Sequence, residues 1–430
     1  MTIHFSNDIL IYDLETQTFG LPDGNTDVLK FFGCYSYKTN KYYLLRIKED
    51  IQKIIDSHKF LVGFNTEVYD EPILKRFGVD IQYKIRVDLF DIIKKRAGGI
   101  KIKEGILKDL LMSYSLDYIT KTLHLVDNET GKLKFDYTLF NKNSWTAEEL
   151  QLIKDYTIRD IEITKKLYEW CENYFWSFRE FLPEEDVKKK RYLTVSIAKL
   201  TYKAICKAMK WKEEYLEFGS TSGEEHENIL GGYVSYPAGE EYHSCEKYDI
   251  YVFDFTSLYP HDIMMANLFG RKKEGDINNR PTWSGGGVWK TYGVYYADEM
   301  SEPCKLIKRW YADRFVYKQN KDPKEYTIKI FLNAISGIME VEYYVNVCDK
   351  VARKDCTGLG RQWTKYVRKE MTKEGYVMIY SDTDSFYVLD PFKDKEKLLS
   401  VKKRIVDFIK GTMPFRQNTF DIALEHKLKH

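Results

Sequence analysis

Apolar residues fall along this chain in short runs and helical stripes, with no repeat and no low-complexity tract. Residues 8–12 form an apolar run ending in Asp-Leu-Glu, which predicts a buried strand with polar residues at its C-terminal end. Two further strands are predicted on either side of the loop at 38–41. Helical spacing predicts helices over 49–57, 70–77, 107–123 and 146–175. The last of these opens with Ser144 or Thr146 and Glu148 or Glu149, a capping arrangement. Strands mixed with helices over this length predict one α/β domain.

Beyond it, residues 188–211 read as one basic helix and 219–233 as a polar, glycine-bearing linker. Residues 248–260 read as a strand running into a turn at Pro260, and 271–304 are poorly patterned. Two helices follow over 305–320 and 324–338, then two strands around an acidic turn within 377–389, then a helix over 394–411. The fold class expected is α/β and α+β, multidomain.

The chain has 430 residues, 43 % hydrophobic and 31 % charged, which excludes a disordered or fibrous protein. No apolar run approaches the ~18 residues of a membrane span, and the start has neither a basic nor an apolar leader region, so no membrane role is expected. Seven scattered cysteines without metal-ligand spacing suggest reduced thiols and a cytoplasmic setting. The net charge of +2 excludes a strongly basic DNA wrapper, but basic channels offset by acidic metal sites fit it. Aromatic content of 15 % suits base stacking, although AT-rich coding drift also produces it.

Candidate chemistry lies in carboxylates. Asp13 and Glu15 share one face at a strand end, where two oxygens can hold a hard divalent cation. Taken alone, such a pair is more often solvated surface. Asn65 and Asp70 follow, Asp70 just inside a helix start where a carboxylate also favours the helix dipole. Tyr156 and Asp160 stand one helical turn apart. In the second half, Asp254 ends an apolar strand. Asp382 and Asp384 flank Thr383 between the runs YVMIY and FYVL. Two aspartates in a hairpin tip repel each other, so stability alone does not explain them, whereas a bound cation does. Lys329 and Asn333 share a helix face, and Arg314 and Lys318 form a basic stripe on the helix before. That stripe suits a triphosphate or a solvated basic face equally.

The order DxE, then N…D, then Y-x3-D over 5–175 resembles the three exonuclease motifs of the DEDDy 3′–5′ proofreading nucleases. DFTSLYP, KIFLNAISG and YSDTDS, in this order, resemble motifs A, B and C of the family B DNA polymerases. GGYV at 231–234 resembles the glycine motif that joins their two parts. The resemblance implies an RNase H-like exonuclease domain over 1–178, a connecting helix and linker over 179–245, palm over 246–304 and 339–430, and fingers helices over 305–338. It implies two Mg²⁺ ions per site, with Mn²⁺ as an alternative. Asp13, Glu15, Asp70 and Asp160 would hold one pair ~3.5–4 Å apart, and Asp254 and Asp384 the other, supported by Asp382. Tyr156 would orient the attacking water, and Lys134 would contact the scissile phosphate. Tyr259, in the segment Ser257-Leu258-Tyr259, would exclude a 2′-hydroxyl. Arg314, Lys318 and Lys329 would hold the triphosphate, and Asn333 the nascent pair. Asn65, Gly231 and Gly232 would contact DNA. The implied function is dNTP addition to a primer 3′ end on primer-template DNA, with proofreading.

The chain departs from the family in four places. Ser336 stands where motif B carries tyrosine, and Ile229 where the glycine motif carries one. The first motif begins at residue 13, as in compact viral enzymes acting in a host cell's cytoplasm. The sequence ends before the Lys-x-Tyr element and thumb, so either the chain is a fragment or, the preferred expectation, it belongs to a split viral polymerase whose thumb comes from a second polypeptide. The alternative is a metal-dependent exonuclease whose polymerase half is idle without that partner.

Overall fold

The computed structural model describes residues 7–19, 21–217, 230–235 and 247–428. The chain divides into two compact units, Met1–Ser196 and Ile197–His430. The first is built on a five-stranded sheet. Strands β1 (Ile9–Gln17), β2 (Val28–Ser36) and β3 (Lys41–Leu45) are followed by helix α1 (Lys48–Asp56), then β4 (Phe60–Gly63), helix α2 (Asp70–Arg76), β5 (Ile85–Asp88) and helix α3 (Leu89–Arg96). The order across the sheet is β3-β2-β1-β4-β5, with β1 antiparallel to β2 and parallel to β4. The run Ile9–Tyr12 is buried on both faces, as a central strand requires.

The long helix α4 (Ala147–Tyr174) lies on this sheet. Of the candidate caps, Thr146 and Glu149 form the box: Thr146 Oγ1 accepts from Glu149 N at 3.2 Å, and Thr146 N donates to Glu149 Oε2 at 3.0 Å. Gly33 lets the helix approach. A Cβ there would stand 2.2 Å from Thr157 Cγ2 and 2.9 Å from Ile161 Cδ1. Since Gly33 pairs with Asp13 across the ladder, this close approach brings α4 over the strand that carries Asp13 and Glu15.

In the second unit, helix α5 (Ile197–Met209) precedes an antiparallel sheet ordered β10-β7-β9-β8-β6. Its strands are β6 (Val234–Ser235), β7 (Asp249–Phe255), β8 (Val377–Asp382), β9 (Ser385–Asp390) and β10 (Ile422–Lys427). Helix α6 (Leu258–Ala266) follows β7. Helices α7 (Glu302–Gln319), α8 (Lys324–Ile338) and α9 (Lys350–Lys373) come before the β8–β9 hairpin, and α10 (Lys395–Gly411) after it.

Three expectations need correction. Residues 188–211 are two helices, Arg191–Thr194 and Ile197–Met209, because the buried Arg96 guanidinium takes the carbonyls of Tyr192 and Val195 and holds the chain open between them. The stripe at 107–123 is likewise broken, into Leu107–Leu110 and Leu116–Thr122, the second capped by Ser115. Pro260 does not fix a turn. It occupies the first turn of α6, where its missing N–H is no loss, and the reversal is made by Ser257 at φ 52°. The expected linker at 219–233 lies largely outside the described residues. The six described cysteines are free thiols, and Cys245 lies outside the described residues.

Gly33→Ala should cost about 1–3 kcal/mol by forcing α4 off the sheet. Thermal unfolding of the variant checks this, and an unchanged melting temperature would contradict the packing.

Candidate active sites

The first site gathers at the middle of the first unit's sheet. Asp13 and Glu15 project from β1. The register shifts after Glu15, which pairs with Phe31 while Thr16 pairs with Leu29. Asp70 is the first residue of α2 and Asp160 lies on α4, and each is only 3 % exposed. Burial raises the Asp13 carboxyl to about 7, and Asp160 adds to the rise. Burial likewise raises Glu15, which Asp13 also opposes, and Asp70, which feels Asp13 and Asp88. Four carboxylates from three elements thus lie in one another's field, as the sequence order suggests.

Neutralising contacts are few. Thr157 Oγ1 donates to Glu15 Oε1 at 2.9 Å. Lys132 Nζ stands 2.9 Å from Asp160 Oδ2. Burial pulls down on Lys132, but Asp160 and Asp13 outweigh it and keep its ammonium charged. Asp70 Oδ1 and Asp160 Oδ1 are buried with no hydrogen-bond partner. Among the described residues no three His, Cys, Asp or Glu side chains close into a finished metal cage. The orphaned oxygens and hard donors nevertheless fit a hard divalent cation, and Lys132 supplies positive charge in its place. Tyr156 is buried beside them, stacked on Phe135 at 4.4 Å, with its hydroxyl 3.1 Å from that of Tyr137.

Lys134 is exposed, and the lysine that meets the carboxylates is Lys132, two residues earlier. Alternation along an extended segment gives both the same side, so only the fold chooses between them. Asn65 sits at φ 62°, its N–H donating to Asp88 Oδ1 at 2.8 Å. Asp88 also accepts from Glu67 N and Phe90 N, so it ties the 65–67 loop to the start of α3. No motif marked Asp88.

The second site lies in the other unit. Asp254 on β7 pairs with Ser385 of β9 and Ala423 of β10. Phe255 N donates to the Asp384 carbonyl at 2.8 Å, so register sets Asp384 beside Asp254. Phe253 and Phe255 face the core against Phe386, which leaves Asp254 on the opposite side of the strand. Burial raises the Asp254 carboxyl to about 6, and Asp384 and Glu425 add to this while Lys329 opposes it. Asp384 is raised by burial and by Asp382. Asp382 is exposed and accepts from Thr383 Oγ1 at 3.0 Å. Glu425 was not legible beforehand, because the ladder irregularity between Leu424 and His426 sets which way it points. The donor set of Asp254 and Asp384, with Glu425 near, also fits a hard cation.

Around this pair, Tyr259 is half-buried under the Arg353 guanidinium, 5.7 Å from its ring. Ser257 precedes α6 without a side-chain capping bond, and Leu258 is buried. Lys329 and Asn333 are exposed on α8, and Ser336 is buried. Lys318 is exposed, but Arg314 is engaged by Glu325 at 2.8 Å, so it is not a free cation of the stripe. Gly232 touches the hairpin tip: a Cβ there would meet Thr383 Oγ1 at 2.5 Å, while Thr383 N donates to the Tyr233 carbonyl. Gly231 gives its carbonyl to Arg361 at 2.7 Å. Ile229 lies outside the described residues.

Comparison with known proteins finds similar sequences and a similar fold. Residues 90–271 match the model of DNA polymerase type B, organellar and viral. A DNA polymerase of Thermococcus gorgonarius is 22 % identical over 88 % of this chain and 47 % of its own length. One from Choristoneura biennis entomopoxvirus is 22 % identical over 96 % of this chain and 52 % of its own length. This chain is similar to the family B DNA polymerases. The fold agrees: the family B DNA polymerase of the hyperthermophilic archaeon Pyrobaculum calidifontis superposes with a TM-score of 0.60 at 15 % identity, over 97 % of this chain and 56 % of that one. The chain spans about half the length of the curated polymerases it matches. No described helix is long and apolar enough to cross a membrane.

His261 supports the start of α6, with its ring nitrogens 3.1 Å from the Ser257 carbonyl and 3.0 Å from Thr419 Oγ1. Burial lowers it to about 4 from its ordinary 6.5. The unfolded chain therefore binds this proton first as pH falls, so stability is complete above about 6.5 and declines toward pH 4. His261→Gln should flatten that decline by about 2–3 kcal/mol. Melting temperatures across this window check it, and parallel curves for the two proteins would refute it.

Proposed function

We propose that the second unit adds dNTPs to a primer 3′ end on a DNA template and that the first removes nucleotides in the 3′–5′ direction. The observation that carries the proposal is the placement of Asp254 and Asp384 side by side by strand register, both raised by burial and by a neighbouring carboxylate. Mg²⁺ ions, with Mn²⁺ as an alternative, supply charge neutralisation at phosphate when bound.

In the polymerase half Asp254 and Asp384 hold the ions, and Asp382, exposed beside them, supports the tip. Tyr259 packs under the incoming sugar, positioned by the Ser257-Leu258 start of α6. Lys329 and Lys318 draw the triphosphate in, while Asn333, one turn from Lys329, faces the nascent pair. Arg314 acts through its pairing with Glu325, orienting α7 against α8. The primer 3′-oxygen attacks the α-phosphate in line, and pyrophosphate leaves.

In the nuclease half Asp13, Glu15, Asp70 and Asp160 are the ion ligands, and Tyr156 holds the attacking water. Lys132 takes the phosphate-contacting role that Lys134 has in the sequence reading. It is already charged and aimed at the carboxylates. Asn65 meets the DNA end, and Gly231 and Gly232 present backbone to the template. The matches to an organellar and viral model and to an entomopoxvirus DNA polymerase support a viral replicative role.

Primer extension with labelled primer-template, dNTPs and Mg²⁺ tests the proposal. Asp384→Asn should abolish extension and spare trimming, and Asp160→Ala should do the reverse. Lys132→Ala should slow trimming about 10²-fold, and Lys134→Ala should leave it near the native rate. Extension that appears only on adding a thumb-bearing chain would support a split enzyme. Trimming with no synthesis under either condition would sink the polymerase assignment.

A further inference from the structure

A cavity of about 530 Å³ in the second unit lies between α9 and the loop at 284–292, and neither Asp254 nor Asp384 is among its lining residues. Its lining includes Lys290 and Tyr292 from the loop, and Arg361 and Lys365 from α9, with no carboxylate among its described lining residues. The loop is held rigidly. Gln362 Oε1 accepts from Lys290 N at 2.8 Å, and Gln362 Nε2 donates to the Lys290 carbonyl at 2.9 Å. The buried Asp355 carboxylate accepts from Tyr292 N at 2.7 Å, Gly293 N at 2.8 Å and the Tyr295 hydroxyl at 2.6 Å.

Tyr292 is nevertheless 77 % exposed. A large ring on a pinned backbone, presented to solvent among cations, is pre-organised for stacking, since little further freedom is lost on binding. Arg361 is committed to the carbonyls of Leu230 and Gly231. That leaves Lys290 and Lys365 to face a ligand, with Lys365 Nζ 5.3 Å from the Tyr233 ring. The same 230–235 segment contacts the hairpin tip that bears Asp382 and Asp384, so the basic wall is continuous with the candidate catalytic site.

We propose that this cavity is a second DNA-binding site that takes an unpaired strand, with phosphates on Lys290 and Lys365 and a base stacked on Tyr292. The identity of the polymer rests on the polymerase reading above. An unpaired strand is required because a base buried in a duplex offers no free face to the ring, whereas cations alone would serve either form.

Fluorescence anisotropy of the full chain with a labelled oligothymidylate, in EDTA so that no turnover occurs, tests this. Tyr292→Ala should weaken binding about tenfold, and Tyr292→Trp should retain it. The double variant Lys290→Glu/Lys365→Glu should weaken binding and reduce the slope of log affinity against log salt by about 1.4, for two lost phosphate contacts. Lys403→Glu, exposed on α10, is the charge control. The proposal is overturned by unchanged affinity in both cavity variants, by an equal loss in the control, or by a loss confined to a blunt duplex hairpin. A chain that extends primers but binds oligothymidylate equally in every variant loses this inference alone. A chain that extends no primer, either alone or with a thumb-bearing chain added, loses the polymerase reading itself.

Discussion

Carboxylates brought together out of water repel each other, and each also loses its hydration, so an arrangement that holds them side by side must be built by forces from elsewhere in the fold. Both units of this chain are organised around that constraint. In the first, Asp13, Glu15, Asp70 and Asp160 come from a strand, a helix start and a long helix, all held by apolar packing. In the second, Asp254 and Asp384 are set by backbone hydrogen bonds of an antiparallel ladder whose other face is phenylalanine. The raised carboxyls are the visible cost, and a divalent cation is the partner that would relieve it.

The surrounding details serve the same end. Gly33 admits α4 to van der Waals distance of the sheet and so delivers Asp160 to Asp13. Gly232 does the corresponding work at the hairpin tip, where Thr383 leaves no room for a side chain. Asp88, half-buried, and Asp355, buried, are carboxylates of another kind. Each accepts several backbone or hydroxyl hydrogens and fixes a loop: the first beside Asn65, the second beneath Tyr292. The contrast separates carboxylates that find their donors within the protein from those left waiting for a ligand.

What the sequence by itself determined was the set of acidic positions and their local geometry. Asp13 and Glu15 share a face because strands alternate, Tyr156 and Asp160 because helices turn every 3.6 residues, and Asp382 and Asp384 because a hairpin tip is short. Helix α4, with its capping box, and the apolar strands flanking Asp254 were equally legible. Helix α9 was not, because its buried stripe uses Ala352, Cys356 and Gly360 beside Leu359 and Trp363, too weakly apolar to stand out among so many cations.

Tertiary structure alone decided the rest. The break after Thr194 depends on Arg96, nearly a hundred residues away in sequence. The choice of Lys132 over Lys134, the approach of Glu425 to Asp254, and the engagement of Arg314 by Glu325 all depend on register and packing between distant segments. Local periodicity fixes which side of its own element a residue occupies. Which charge it meets there is set by the elements that hydrophobic burial brings alongside, and no short-range pattern carries that information.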